Sequence, residues 1–288
     1  MERACPKGER EDISMISEKM KPLVNNNSAI RAMFEEGKKL AAVYGAENVY
    51  DFSLGNPNVP APDSVGQAIC DILKEEESTF VHGYMSNAGY EDVRDTIARS
   101  LNRRFGTSFH QNNILMTVGA ASGLNIILKT LLNPGDEVIV FAPYFVEYGS
   151  YVRNYDGNLV VISPNTEDFQ PNLEKLGEKI TPRTKAVIIN TPNNPTGVVY
   201  SAGTLARMAD ILRERQTQLG TDIVLISDEP YRELAYDGVE VPYVTGFYEN
   251  TVICYSYSKS LSLPGERIGY LVIPDALKDS QEVFNAAT

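Results

Sequence analysis

Short apolar runs alternate with amphipathic segments through most of this chain, and this alternation limits the possible fold more than any other feature. Apolar runs such as residues 223–226 are typical of strands buried on both faces of a sheet. Seven candidate strands cover residues 114–118, 137–142, 158–162, 186–190, 223–227, 251–257 and 268–273. Candidate helices cover residues 92–105, 121–132, 171–180 and 203–219. The pattern predicts an α/β fold with a mainly parallel seven-stranded sheet and helices on both faces.

The composition excludes several classes of function. A net charge of −12 over 288 residues argues against nucleic acid or an anionic membrane as a partner. Cys5, Cys70 and Cys254 are odd in number and far apart, and His82 and His110 form no cluster, so we expect neither disulfides nor a metal site. No apolar run reaches ~18 residues, and the N-terminus lacks the apolar core of a signal peptide. These features predict a soluble, cytoplasmic protein.

A lysine and an arginine stand eight residues apart just after the strand candidate 251–257. Lys259 follows Ser256 and Ser258, and Arg267 comes before Gly269. A lysine in a partly dry pocket has a lowered pKa and can form a Schiff base, and an arginine can clamp a phosphate. Taken alone, such a pair is more often two solvated surface charges.

Three motifs upstream change that interpretation. Asp228 and Tyr231 follow the buried strand candidate 223–227, where open α/β sheets bind ligands, although an aspartate there could also be a helix cap. Residues 190–197, which follow the strand candidate 186–190, are rich in asparagine and proline and predict a turn. Residues 119–123 are small and join a strand to a helix, which lets backbone N–H groups approach a phosphate.

Together, and in this order, the four motifs resemble those of the pyridoxal-phosphate aminotransferases of class I/II, the fold type I superfamily. The resemblance runs from about Val49 to the end of the chain. It implies that the sheet is the large domain of that fold. It also implies transfer of an amino group between an L-amino acid and a 2-oxo acid, through a pyridoxal 5'-phosphate Schiff base on Lys259.

The resemblance also implies roles for individual residues. Lys259 would move protons as general base and acid, Asp228 would keep the pyridinium nitrogen protonated, and Tyr231 and Asn194 would bond the phenolic oxygen. The expected phosphate cup consists of Gly119, Ala120, Ala121, Ser256, Ser258 and Arg267. Tyr144 matches the aromatic residue that stacks on the cofactor ring.

Two further matches involve the substrate and a second subunit. Gly55 matches the glycine turn beside the substrate carboxylate, and Tyr84 matches a tyrosine that reaches the phosphate of a neighbouring subunit. The resemblance therefore implies a homodimer. Residues 1–50 are expected to form an N-terminal arm and part of a small domain, with about the first dozen residues frayed. Residues 51–273 would form the large domain.

Residues 274–288 are expected to begin a helix near Pro274 that leads to the rest of the small domain. The family continues well beyond this point, so we expect a truncated chain with an incomplete small domain. No residue here matches the arginine that grips the substrate α-carboxylate in the family.

Three other functions stay open at this stage. A β-lyase or a Cα–Cβ lyase of the same superfamily would share the cofactor-binding residues. A cofactor-binding fragment without activity is a second alternative. An aminotransferase-like regulatory domain is disfavoured, because residues 1–50 lack a basic helix-turn-helix arm.

Overall fold

A computed structural model describes residues 15–21 and 29–288. The chain divides into two compact units, residues 1–56 and residues 57–288. The second unit contains the sheet and is described first.

The seven strands form one sheet in which a single strand is reversed. They are β1 (Ile114–Thr117), β2 (Glu137–Phe141), β3 (Asn158–Ile162), β4 (Thr184–Asn190), β5 (Val224–Asp228), β6 (Thr251–Ser256) and β7 (Gly269–Val272). Their order across the sheet is β1-β7-β6-β5-β4-β2-β3, and β7 is antiparallel to both β1 and β6. The predicted mainly parallel seven-stranded sheet is confirmed.

Helices lie between most of the strands. In the second unit they are α2 (Asp63–Glu75), α3 (Ser78–Val81), α4 (Glu91–Phe105), α5 (Ala120–Leu131), α6 (Tyr148–Asn154), α7 (Leu173–Lys179), α8 (Ala202–Leu219), α9 (Tyr257–Ser260) and α10 (Ser280–Ala287). Short 3₁₀ turns cover Gln111–Asn113 and Val244–Gly246. The four predicted helices are confirmed to within two residues as α4, α5, α7 and α8. The helices α2, α3, α6 and α9 were not among the predictions.

The sheet is buried on both faces. Successive strand residues point to opposite sides, so each strand contributes to two cores. In β4, Val187 and Ile189 join the core built with α4, α7 and α8. Ala186 and Ile188 join the core built with α5, α6 and α10. A three-layer arrangement follows, with a helix layer on each face of the sheet, as the near-continuous apolar strands predict.

The end of the chain differs from the sequence prediction. Leu277 N–H bonds the carbonyl of Pro274 in a turn, and α10 begins only at Ser280, rather than near Pro274. Asp279 has a left-handed φ of 56°, which a right-handed helix does not accommodate. The helix therefore starts after Asp279, and Phe284 packs into the core beside α5.

The described residues of the first unit include a long helix, α1 (Ala29–Tyr44), and a 3₁₀ turn at Ala46–Asn48. The helix predicted over residues 28–43 agrees with α1 over the part that the structure describes, which begins at Ala29. The frayed leader predicted for about the first dozen residues lies outside the described part of the chain.

Candidate active site

The carboxyl ends of three parallel strands define the site. Asn190 at the end of β4 is in register with Asp228 at the end of β5, and Asp228 is in register with Cys254 of β6. A cavity of about 210 Å³ opens at this edge. Its lining consists of Ala120, Ala121, Leu124, Phe145, Tyr151, Asn190, Asn194, Asp228, Pro230, Tyr231, Ser256, Ser258, Lys259, Pro264 and Arg267. Open α/β sheets bind ligands at this position.

Asp228 places a buried carboxyl group in the cavity. Its Oδ2 accepts a 2.6 Å hydrogen bond from the hydroxyl of Tyr148, while its buried Oδ1 has no hydrogen-bond partner among the described residues. Burial raises the pKa of Asp228 to about 7, against the opposing effect of the Tyr148 hydrogen bond. A buried oxygen with no protein partner is suited to a cationic or N–H donor group of a ligand.

Asn190 holds the two loops of the site together. Its Nδ2 donates a 2.7 Å hydrogen bond to the carbonyl of Asp228, and its Oδ1 accepts a 2.6 Å bond from the N–H of Asn194. Asn194 Nδ2 in turn donates to the Tyr231 hydroxyl at 3.2 Å. Burial, followed by the charge of Asp228, raises the pKa of Tyr231. The amide of Asn194 and the phenol of Tyr231 are thus adjacent at the cavity wall.

Lys259 reaches the same cavity from α9. Ser256 is the N-cap of this single-turn helix, and its hydroxyl accepts a 3.2 Å hydrogen bond from the N–H of Ser258. Burial lowers the pKa of Lys259, and the positive charge of Arg267 lowers it further. A lowered pKa increases the fraction of uncharged, nucleophilic amine near neutral pH.

Arg267 and two serines form a cluster suited to an anion. Nη1 of Arg267 donates to the Pro264 carbonyl at 2.8 Å and lies 3.4 Å from Oγ of Ser258. Oγ of Ser256 donates to Oγ of Ser258 at 2.8 Å. Beside them, Ala120 and Ala121 open the twelve-residue helix α5, whose N-terminal N–H groups favour negative charge.

Gly119 allows the arginine to approach this helix end. A Cβ at residue 119 would lie 2.6 Å from Nη2 of Arg267, and the glycine has a φ of 89°. Only a residue without a side chain fits both the backbone conformation and the space. The structure therefore brings together six of the predicted cup residues: Gly119, Ala120, Ala121, Ser256, Ser258 and Arg267.

The position of Tyr144, the predicted stacking residue, differs from the prediction. Tyr144 does not line the cavity; its ring lies parallel to that of Tyr148, with centroids 6.5 Å apart. Phe145 and Tyr151 supply the aromatic lining instead. Residues 142–147 precede α6 in an irregular segment, so no strand or helix periodicity indicates which of two adjacent aromatic side chains faces inward.

Tyr84 has a fully exposed side chain and is absent from the lining. Gly55 lies in an irregular segment of the first unit.

Sequence reasoning missed Tyr148 and Phe145. The aromatic spacing over residues 144–151 was the available signal, since Tyr148 and Tyr151 are one helical turn apart.

Among the described residues, no group of three His, Cys, Asp or Glu side chains could hold a metal ion. No described helix has both the length and the apolar character needed to cross a membrane.

The fold and the site together define a protein of the aminotransferase class. The chain belongs to the family described as aminotransferase class I and II, whose model matches residues 47–287. A probable aspartate/prephenate aminotransferase from Aquifex aeolicus is 33% identical over 84% of this chain and 61% of its own length. An aspartate aminotransferase from Pyrococcus horikoshii is 31% identical over 88% of this chain and 61% of its own length.

Solved structures agree with this assignment. An aminotransferase from Eubacterium rectale has a TM-score of 0.92 and 47% identity, over 95% of this chain and 69% of that one. Aspartate aminotransferase from Thermus thermophilus, solved with maleate, has a TM-score of 0.81 and 30% identity, over 96% of this chain and 67% of that one. The chain therefore spans about three fifths of the length of the curated relatives and about two thirds of these structures.

Proposed function

We propose that this chain forms the cofactor-binding part of a pyridoxal-phosphate-dependent transaminase. The observation that carries the proposal is that the Lys259 amine, the unpartnered Oδ1 of Asp228 and the Arg267 cluster line one cavity. When bound, the cofactor supplies an aldehyde that reacts with amines and a ring that accepts electrons from the substrate Cα.

The residues present fit this cofactor at both ends. The Oδ1 of Asp228 lacks a hydrogen-bond donor among the described residues, and the cofactor's ring nitrogen carries an N–H that would supply one. At the other end, the missing Cβ of Gly119 leaves room for Arg267 beside the N-terminus of α5, which suits a phosphate. Ser256 and Ser258 add hydroxyl groups to this cluster.

Lys259 has two functions in this proposal. Its amino group would hold the cofactor covalently, and its Nζ, once released, would act as the base that takes a proton from the substrate Cα and then as the acid that gives this proton up. Both functions need an unprotonated amine, which burial and the charge of Arg267 favour by lowering the pKa of Lys259.

Asp228 and the aromatic residues would orient the ring. A carboxylate facing the ring nitrogen stabilises its protonated form by charge. Tyr231 and Asn194, already joined at 3.2 Å, would both donate to the ring's phenolic oxygen. Phe145 offers an aromatic lining for one face of the ring, the position that Tyr144 was expected to take.

The proposal extends to the location of the protein in the cell, to its assembly and to the roles of Tyr84 and Gly55. We place the protein in the cytoplasm and propose that the whole protein is a homodimer. The fully exposed ring of Tyr84 is then free to reach the phosphate site of the partner, and Gly55 would contact the substrate carboxylate. Light scattering on the whole protein tests the dimer, and a monomer at micromolar concentration would contradict it.

The domain roles extend the same proposal. Residues 1–50 would contribute to a small domain, residues 51–273 would bind the cofactor, and residues 274–288 would lead back to the small domain. Limited proteolysis tests this division. Preferred cleavage within residues 60–270, rather than near residues 50–56, would contradict it.

The decisive experiment traps the cofactor and identifies the product. The chain is incubated with pyridoxal phosphate, reduced with borohydride and digested, and the pyridoxyl group should map to Lys259 and be absent in Lys259→Ala. With aspartate and 2-oxoglutarate, a transaminase forms oxaloacetate and glutamate, whereas a β-lyase releases free ammonia. A pyridoxyl group on other lysines alone would contradict the role of Lys259. Trapping without any product would leave the chain as a cofactor-binding fragment.

A further inference from the structure

The hydroxyl of Tyr255 lies between two side chains from different elements. It donates a 2.9 Å hydrogen bond to Oε2 of Glu233 and lies 2.8 Å from Oγ of Ser260. A tyrosine hydroxyl has one proton, so the Ser260 hydroxyl donates the second bond. The neighbouring strand residue, Ser256, points to the opposite face and lines the cavity, which Tyr255 does not.

The two hydrogen-bond partners of Tyr255 lie close in sequence to Lys259 and Tyr231, which line the cavity. Ser260 directly follows Lys259 in α9. Glu233 follows Tyr231 by two residues in the turn after β5, which a 2.8 Å bond from the N–H of Leu234 to the carbonyl of Tyr231 closes. One hydroxyl therefore connects the segment that carries the lysine to the segment that carries the tyrosine.

Glu233 is itself held in place. Its second oxygen, Oε1, accepts a 2.6 Å hydrogen bond from Nη2 of Arg104 in α4. With both oxygens bonded, the carboxylate presents a fixed acceptor to Tyr255. The connection thus runs from a helix on the outer layer, through Glu233 and Tyr255, to α9.

The helix α9 needs such support because it has only four residues. A single turn is not stable without tertiary contacts. On the cavity side, Ser258 of α9 bonds Ser256 and lies near Arg267. On the other side, Ser260 of α9 is hydrogen-bonded to the hydroxyl of Tyr255.

We infer that Tyr255 is a positioning residue: its hydroxyl, fixed by Glu233, holds Ser260 and thereby keeps Lys259 directed into the cavity. The inference rests on the proposed role of Lys259 as the reactive amine. Tyr255 itself touches neither the cavity nor a reacting atom.

The surroundings of Tyr255 make a clean substitution possible. Its ring is buried, stacks on Tyr270 with centroids 4.9 Å apart, and meets Tyr257 edge-on at 5.3 Å. Tyr255→Phe keeps this packing and removes the hydroxyl alone. Tyr270→Phe is the matched control, because it removes a hydroxyl from the same aromatic stack without breaking a hydrogen bond seen in the described residues.

The test measures the reactivity of Lys259 as a function of pH in the cofactor-free chain. Trace acylation with an amine reagent, followed by digestion and mass spectrometry, gives a titration midpoint for Lys259 and for exposed Lys175 as an internal reference. Arg267, Asp228 and Tyr231 share the cavity with Lys259, so the midpoint reports its confinement beside these groups. Amide exchange of α9 is followed in the same samples.

We expect a Lys259 midpoint below the ordinary value of a lysine side chain in the unaltered chain. Tyr255→Phe and Ser260→Ala should each raise it, because a released α9 lets the amine reach water. Ser260→Thr, which keeps the hydroxyl, should restore it, and Tyr270→Phe should leave it unchanged. Amide exchange in α9 should accelerate about two- to tenfold in the first two variants, as expected for loss of one hydrogen bond.

The outcomes separate this inference from the proposed function. A low midpoint that neither Tyr255→Phe nor Ser260→Ala raises contradicts the positioning role alone. An equal rise in Tyr270→Phe also contradicts it, since the effect would then come from the aromatic stack. A Lys259 midpoint at the ordinary value of a lysine side chain in the unaltered chain contradicts the proposed function. Exchange in α9 then still decides whether the hydroxyl anchors this helix.

Discussion

The hydroxyl of Tyr148 donates a hydrogen bond to Oδ2 of Asp228, and both side chains are buried at the carboxyl edge of the sheet. This bond occupies one carboxylate oxygen and leaves Oδ1 for the cavity. Because α6 carries Tyr148 and β5 carries Asp228, the helix layer sets the orientation of the acid. The proposed pairing of Asp228 with a ring nitrogen depends on this orientation.

Asp228 should make the cofactor-free chain less stable as the pH rises. Its folded pKa of about 7 lies above the value of an unfolded aspartate, so the folded state binds a proton that the unfolded state has lost. The contribution to stability is full below about pH 4 and is lost as the pH rises through about 7. The loss amounts to at most about 4 kcal/mol for a shift of this size.

Urea unfolding at several pH values, compared between the unaltered chain and Asp228→Asn, measures this contribution. Asparagine keeps an oxygen that can accept the Tyr148 bond but does not titrate. Between about pH 4 and pH 7, the free energy of unfolding of the unaltered chain should fall relative to that of Asp228→Asn. A constant difference over this range would refute the raised pKa.

Removing the Tyr148 hydroxyl should raise the pKa of Asp228 further. The hydrogen bond from Tyr148 favours the charged carboxylate of Asp228. In Tyr148→Phe this bond is lost, so the carboxylate band in the infrared spectrum should appear only at a higher pH than in the unaltered chain. Tyr151→Phe is a suitable comparison, because Tyr151 also lines the cavity but does not bond Asp228. The assignment fails if both variants show the same carboxylate titration.

Gly119→Ala should weaken anion binding. The new Cβ would lie 2.6 Å from Nη2 of Arg267 and displace the guanidinium from the cluster. Loss of a charge-assisted hydrogen bond should lower the affinity for pyridoxal phosphate by about tenfold or more, measured by fluorescence quenching.

Gly238→Ala controls for backbone strain in that experiment. Gly238 also has a positive φ, 71°, but a Cβ there would meet nothing within 4 Å. Its variant should unfold at a lower denaturant concentration yet bind the cofactor as before. Equal losses of affinity in the two variants would show that strain, rather than the displaced arginine, is responsible.

The buried ion pair behind the site should dominate local stability. Nε of Arg232 donates a 2.6 Å hydrogen bond to Oε2 of Glu229, and both side chains are buried. Glu229→Ala leaves the guanidinium buried without its counter-charge, which costs about 3–5 kcal/mol of unfolding free energy. Glu178→Ala, which breaks an exposed pair with Lys175, should leave the urea midpoint unchanged within error. Similar midpoints for both variants would contradict this ranking.

The sequence allowed the sheet and most of the cavity to be predicted, because both depend on local signals. Buried strands are continuous apolar runs, and Asp228, Asn194 and Lys259 lie within four residues after such runs. The position of a residue just after a strand end is therefore enough to bring it to the site. The same argument placed Gly119 at the start of α5.

Other parts of the site depend on contacts between distant segments. Tyr148 meets Asp228 only because α6 packs on the sheet, and Glu233 meets Tyr255 only because the turn after β5 folds over β6. The choice between Tyr144 and Phe145 depends on an irregular segment with no periodicity. Asp279 stops the helix predicted from Pro274 through a backbone conformation that aspartate adopts only sometimes.

The reversed strand has a consequence for the order in which the protein assembles during synthesis. Of the seven strands of this sheet, β7 is synthesised last, yet it inserts between β1, the first of the seven to be synthesised, and β6. Gly269 then packs against Gly119, with an added Cβ only 3.0 Å from the Gly119 Cα, and Arg267 reaches the start of α5. A nascent chain that ends before residue 267 has Lys259 but no completed anion cluster. Under the proposed function, pyridoxal phosphate therefore meets a complete anion cluster only after β7 has joined the sheet and Arg267 has reached the start of α5.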